Sequence, residues 1–430
     1  MPEDLDSGGI RLQETTDGGA SPRVAPLDAL DSPHRLEFEA SGLAPLTLAG
    51  RRLLPIVQGG MGVGVSAHRL AGTVARQGAV GTISSIDLRR LHPDLMERTR
   101  GLKPGPDTRG TIELANLVAL RREIEGARAL AQGRGLLAVN VMRAVSQYRD
   151  YVVTSLEAGI DAIVVGAGLP MDLPEIAADF PRALLVPILS EARSIQLVVK
   201  RWEKRGRLPD AIVVEHPRLA GGHLGAARVE DLADPRFDFE NVLPQARAFF
   251  RSAGIEKEIP LIAAGGIHCL ADIRRLQDLG AAAVQLGTAF AVSAECDADR
   301  AFKDVLAGAR PEDLVEFISV AGLPARAVRT PWFEKYQLVE PRLKEVARAK
   351  SRCTMMFDCL QRCGLRDGTA ESGQFCIDKV LGAALQGDTQ RGLFFRGAGI
   401  LPFGSRIRPV EELISWLLTD RLPPGITDAA

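Results

Sequence analysis

His223 is one of only six histidines in the chain, and it stands in Ala220-Gly-Gly-His-Leu-Gly225, directly after the apolar run Ala211-Ile-Val-Val214. An imidazole has an ordinary pKa near 6.5, so it is the side chain best suited to exchange a proton near neutrality. A lone histidine in a loop is most often a surface group. Here Gly221 and Gly222 precede it, and glycine lets a backbone approach a ligand with no Cβ between them.

Two further glycine clusters also follow apolar runs. Gln58-Gly59-Gly60-Met61-Gly62-Val63-Gly64 holds four glycines in six residues, where a strand-to-helix turn would need one. That excess favours a flat ligand lying against the backbone. Gly265 and Gly266 end a later run, and Gly287-Thr288 end the next. Loops rich in free backbone N–H groups at two such neighbouring positions suit a phosphate.

Four of the six cysteines, Cys353, Cys359, Cys363 and Cys376, form a C-x5-C-x3-C-x12-C pattern. Four thiolates are enough for an iron–sulfur cluster or a structural zinc. The spacing matches neither the C-x2-C of most zinc sites nor the usual ferredoxin run, so the metal stays unassigned.

These residues need elements to position them. Glycine-terminated amphipathic helices followed by short apolar runs recur along the chain, as in Gly159-Ile-Asp-Ala-Ile-Val-Val165 and Gly280-Ala-Ala-Ala-Val-Gln-Leu286. The glycine suits the left-handed position that ends a helix, and the apolar run suits a parallel strand covered on both faces. Eight such runs fall at 54–58, 79–84, 136–140, 161–166, 184–189, 211–215, 260–264 and 282–287. Eight strand–helix units close an α/β TIM (β/α)8 barrel. The runner-up, an open doubly wound sheet, lacks a Gly-x-Gly-x-x-Gly after its first strand.

The expected organisation is a flexible N-terminal arm at 1–35, a barrel at 36–296 and a mostly helical C-terminal extension at 297–430. The stretch from Leu36 to Gly60 alternates as a small β-hairpin leading into the first strand. Long connections at 84–111 and 215–241 lie where a barrel builds its active site. Phe394 and Phe395, in the tail, are candidates to cap the pocket or to anchor the tail to the core.

Composition excludes several other functions. The net charge of −1 and a pI near 6.6 come with mixed charges along the length, unlike the basic stripe of a nucleic-acid binder. No apolar run reaches the 18 or more residues of a membrane span, and the N-terminus is acidic where a signal peptide is basic. A cytoplasmic enzyme with reduced thiols is the expectation.

The chain resembles the nitronate monooxygenase family, formerly called 2-nitropropane dioxygenases, which includes the flavin-dependent enoyl-acyl-carrier-protein reductase II. The resemblance rests on Pro55-Ile-Val-Gln58-Gly-Gly-Met61-Gly, Val139-Asn140, Ala220-Gly-Gly-His223, Ala263-Ala-Gly-Gly266-Ile and Ala283-Val-Gln285-Leu-Gly287-Thr288. It implies non-covalent FMN in a barrel, with Gly59, Gly60 and Met61 lining the isoalloxazine and Asn140 hydrogen-bonding to it. Gly221, Gly222, Gly265, Gly266, Gly287 and Thr288 would hold the phosphate region with Gln285 behind them. His223 falls on the family's active-site histidine, and Gln58 is counted with the cofactor contacts.

The implied activity is oxidation of alkyl nitronates by oxygen to a carbonyl compound and nitrite. The alternative is NAD(P)H-dependent reduction of an enoyl thioester or a quinone. The partner is a small molecule, and relatives are often dimers. In the reductase branch an acid commonly precedes the Ala-Gly-Gly-His; Leu219 stands there in this chain, which leans the choice toward nitronate.

Overall fold

A computed structural model describes residues 32–102, 106–255, 258–349, 353, 359–423 and 425. Eight parallel strands form a closed barrel: β3 (Ile56–Gln58), β4 (Val80–Ser84), β5 (Leu136–Met142), β6 (Ala162–Gly166), β7 (Leu184–Leu189), β8 (Ile212–Glu215), β10 (Leu261–Ala264) and β11 (Ala283–Leu286). The last strand pairs with the first, Gln285 opposite Val57. Each strand falls within one of the eight runs expected from the sequence, apart from a two-residue extension of β5.

Period two along the strands divides the apolar residues between two layers. Val57, Val80, Leu136, Ala138, Val164, Val186, Val213 and Ile262 pack together inside the barrel. Their neighbours Ile56, Ile83, Leu137, Val139, Ile163, Leu185, Val214 and Leu261 pack outward against the helices. A strand buried on both faces needs both sets, which explains why the runs are continuously apolar.

The barrel floor is the antiparallel hairpin β1 (Leu46–Leu48) and β2 (Arg51–Leu53). Leu46, Leu48 and Leu53 join the interior cluster and plug its N-terminal end. The hairpin expected from the alternation is therefore present only in the second half of that stretch. The first half is a helix, Arg35–Ser41. Leu36 and Phe38 mimic a strand by standing two apart, but Leu36 is 72% exposed. The residues that bury are Phe38 and Ser41, at helical spacing, and Gly42 ends the helix at φ 67°.

The arm expected at 1–35 lies mostly outside the described residues, but its last part is packed: Ser32 Oγ donates to the Gln77 carbonyl at 2.6 Å.

Beyond the barrel the chain is mostly helical, with helices Arg300–Gly308, Pro331–Glu345, Ile377–Leu385 and Val410–Thr419. It also contains a hairpin that the sequence reading did not include, β12 (Leu314–Ile318) and β13 (Pro324–Val328). The free edge of β13 pairs with the short strand β9 (Gly222–His223), His223 opposite Ala325. The loop after the sixth barrel strand is thus tied to a segment about a hundred residues downstream. Helix Val410–Thr419 returns to the barrel flank, where the Trp416 indole N–H donates to the His268 carbonyl at 2.7 Å and Ser415 Oγ to Glu37 at 2.7 Å.

Candidate active site

The C-terminal ends of the barrel strands open onto a cavity of about 330 Å³, at the small end of the range that holds cofactors and drug-sized ligands. Its wall includes Gly59, Gly60, Met61, Asn140, Gly221, Gly222, His223, Gly265, Gly266, Gln285, Gly287 and Thr288. The structure therefore brings together every site residue expected from the sequence except Gln58. That side chain is fully buried. Its amide nitrogen donates to the carbonyls of Gly59 and Thr82, and its oxygen accepts the Thr82 N–H at 2.8 Å. Gln58 braces the first two barrel strands and does not face the cavity.

The glycines have different local reasons. A Cβ on Gly60 would stand 2.3 Å from the Cβ of Asn140, so only glycine lets the first loop lie against the Asn140 side chain. Gly265 and Gly266 have φ of 109° and 74°, and a Cβ on Gly266 would meet the Leu219 side chain at 2.7 Å. Left-handed backbone and lack of space both require glycine here. Leu219 fills that gap as an apolar wall between the loops after the sixth and seventh barrel strands. Gly221 lies against the tail, 2.4 Å from Gly397 N to the position of its absent Cβ, and Thr288 Oγ1 accepts the Gly397 N–H at 3.0 Å. The tail therefore closes the corner expected for a phosphate.

His223 is held on one side. Its Nε2 lies 3.0 Å from Ser319 Oγ, in the turn between β12 and β13, and its ring packs against Phe395 with centroids 5.7 Å apart. Nδ1 has no partner among the described residues. Burial pushes the pKa down to about 4, so the ring is neutral at pH 7. Phe395 lines the cavity, whereas Phe394 is fully buried and stacks on Phe302 at 5.7 Å. One of the pair faces the pocket and the other anchors the tail.

Three functional candidates were not singled out in the sequence. Glu215, the last residue of β8, lines the cavity, and burial pushes its pKa up to about 7. An acid at the C-terminal end of a barrel strand is a legible signal. Ser319 reveals itself only through the fold. Arg396 lines the cavity but is 5% exposed. Its Nε donates to the Leu306 carbonyl at 2.9 Å and Nη1 to the Gly397 carbonyl at 2.9 Å, and Nη2 has no partner among the described residues. No carboxylate among them pairs with it, and burial works against its charge. A buried cation without a counter-charge suits an anionic ligand.

No helix among the described residues is long and apolar enough to cross a membrane. Among known proteins, the chain is 26% identical over 292 residues to the probable nitronate monooxygenase of Bacillus subtilis strain 168, covering 66% of this chain and 79% of that one. It is 31% identical over 170 residues to the nitronate monooxygenase of Pseudomonas aeruginosa PAO1, covering 38% and 48%. Among solved structures, FabK from Thermotoga maritima superposes with a TM-score of 0.57 at 23% identity, covering 85% of this chain and 92% of that one. Nitroalkane oxidase from Streptomyces ansochromogenes gives 0.57 at 20%, covering 86% and 95%; both likenesses speak to the fold. The sequence profile of the nitronate monooxygenase family matches residues 50–420, and the chain belongs to that family of oxidoreductase enzymes.

Proposed function

We propose that the protein binds FMN in this cavity and oxidises alkyl nitronates with oxygen, giving a carbonyl compound and nitrite. The observation that carries the reading is the cavity wall itself: neutral His223 with a free Nδ1, a glycine floor at Gly59 and Gly60, and a buried Arg396 without a carboxylate. The residues fit the cofactor. The glycine floor and Asn140 suit a flat ring, and Arg396, Thr288 and the loops at Gly221 and Gly265 suit a phosphate. Bound there, FMN supplies the acceptor for the substrate's electrons.

The protein's own part is positioning. Ser319 Oγ accepts the Ala321 N–H at 3.3 Å and keeps its own hydrogen to donate; in the tautomer where it donates to His223 Nε2, the ring proton stands on Nδ1. A nitronate is already an anion, so it needs a hydrogen-bond donor and not a base. A neutral imidazole donating from Nδ1 meets that need. Phe395 and Leu219 keep the pocket apolar around the donor, which strengthens the bond.

A second reading, NAD(P)H-dependent reduction of an enoyl thioester or quinone, is favoured by one observation. Glu215 is partly protonated at neutral pH, and a reductase needs a proton donor beside its acceptor. Anaerobic mixing of the yellow protein separates the readings. Bleaching of the flavin by propyl nitronate and not by NADH or NADPH is the expected result; bleaching by a nicotinamide alone would overturn it. His223→Ala should retain flavin and lose activity by roughly 10²–10³-fold, the scale of one lost anion-stabilising donor, read as kcat/KM for the nitronate.

A further inference from the structure

All six cysteines are free thiols, and three of them, Cys359, Cys363 and Cys376, belong to segments that fold against one another at the mouth of the barrel. The carbonyl of Cys359 accepts the Ser146 N–H at 3.5 Å, and the Gln361 N–H donates to the Ala144 carbonyl at 2.8 Å. This lays the Cys359 segment across the loop after β5, with Leu360 bridged to Val145. The Gly364 N–H, next to Cys363, donates to the Val320 carbonyl at 2.7 Å, and the Gly373 N–H donates to the Ser319 carbonyl at 3.0 Å. Gln374 ties the ends of that loop together through the carbonyls of Gly364 at 3.2 Å and Thr369 at 2.8 Å.

Two close approaches fold the segment further. A Cβ on Gly364 would stand 2.5 Å from the Cβ of Ser372, and one on Gly368 would stand 2.4 Å from Ala349 N. The first draws the Cys363 end toward Cys376. The second brings Arg348 and Ala349, which precede Cys353 by five and four residues, onto the same loop.

We propose that Cys353, Cys359, Cys363 and Cys376 together ligate an iron–sulfur cluster in the wall of the active-site cavity. Cys363 is buried and the other three are half-buried. Cys359 lines the active-site cavity together with Ile377 and Asp378, the two residues that follow Cys376, and the Cys363 segment reaches the same wall through the Ser319 turn. Thiolates are the soft ligands that iron–sulfur cores take.

The spread of the sulfurs favours a cluster over a single ion. Zinc bound to sulfur at about 2.3 Å requires thiolates roughly 3.8 Å apart. Among the described residues, the one group of three or more potential ligands within 4.8 Å of each other is His268, Cys269 and Asp272. No three of these four cysteines close to that distance, so as they stand they do not form a single-ion zinc site. Cys359 and Leu360 line the same cavity as His223. The Ser319 turn joins the two sites: its hydroxyl meets His223 and its carbonyl holds Gly373. The proposal does not rest on the flavin reading.

The test is full-length protein purified without oxygen, with iron, acid-labile sulfide and zinc measured directly, and reconstituted with ferrous iron and sulfide if metal is low. Iron and sulfide in equal amounts, broad absorbance beyond the flavin bands and a paramagnetic signal after dithionite are expected. Stoichiometric zinc without sulfide, or failure to take up iron on reconstitution, would overturn the proposal. Cys363→Ser and Cys376→Ser should lose most of the iron while keeping the circular dichroism of the barrel; Cys269→Ser should keep its iron. Unchanged iron in both ligand variants would also overturn it. If those variants do not fold, the metal content of the wild-type protein decides. Loss of bound FMN would not affect the iron readout.

Discussion

Burial moves two ionisable side chains of the cavity in opposite directions. His223, ordinarily near 6.5, falls to about 4. Between those values the unfolded chain binds the extra proton, so this stability is present above about 6.5 and is lost as pH falls through about 4. Glu215, ordinarily near 4.5, rises to about 7. There the folded chain binds the extra proton, so this contribution is present below about 4.5 and is lost as pH rises through about 7. Glu215→Gln, which stays neutral, should therefore exceed the wild type in thermal midpoint at about pH 8, with the difference shrinking toward pH 5. Melting curves across that range check the sign.

Arg396 yields a second residue-scale expectation. Arg396→Gln should weaken FMN binding by about ten- to a hundredfold, the scale of a charge-assisted hydrogen bond, while riboflavin binding changes little. Titration of the apoprotein with both ligands is the measurement, and equal losses would exclude a phosphate contact. The glycine clusters and His223 were legible because their types and spacing carry the chemistry. Arg396 was not, being one of 53 Lys and Arg residues and set apart only by burial without a carboxylate. Gln58 misled for the opposite reason: it adjoins the glycines, but a strand's alternation turns it away from the cavity.

At the scale of elements, the segment carrying His223 is only a two-residue strand, too short to orient a side chain without support. Its alignment comes from β13 on one edge and from Ser319 across the ring. Ser319→Ala should keep flavin and fold but lower kcat for the nitronate, with less effect on KM, because the ring loses the partner that orients it. Equal nitronate kinetics in the variant and the wild type would show that β13 alone suffices. The hairpin was hidden in the sequence because Leu314–Ile318 and Pro324–Val328 lie in a stretch dominated by helices, and their pairing with β9 is non-local. The barrel strands were legible because a doubly buried parallel strand leaves a continuous apolar run. The Arg35–Ser41 helix misled because two apolar residues spaced two apart carry no information about which of them buries.

At the scale of the whole molecule, the tail forms part of the outer layer. Helix Val410–Thr419 packs against helices Arg35–Ser41, Leu270–Asp278 and His68–Arg76. It lies between the helices that follow the seventh and first barrel strands, the place the eighth helix takes in a (β/α)8 ring. Residues Val410, Leu413, Ile414, Leu417 and Leu418 are all buried there, and the Leu270 N–H donates to Asp420 at 2.7 Å. Removing residues 410–423 should therefore expose an apolar flank and give aggregated or molten protein, although every barrel strand remains. A soluble, flavin-binding monomer from that deletion, seen by size-exclusion chromatography and absorbance, would refute the assignment.

This has a consequence for synthesis on the ribosome. All eight barrel strands emerge well before residues 410–419, so the growing chain carries a nearly finished ring with one seat empty for more than a hundred residues of translation. The faces of helices Leu270–Asp278 and His68–Arg76 that this helix packs against stay uncovered for that interval, and chaperone demand should peak there, late in translation.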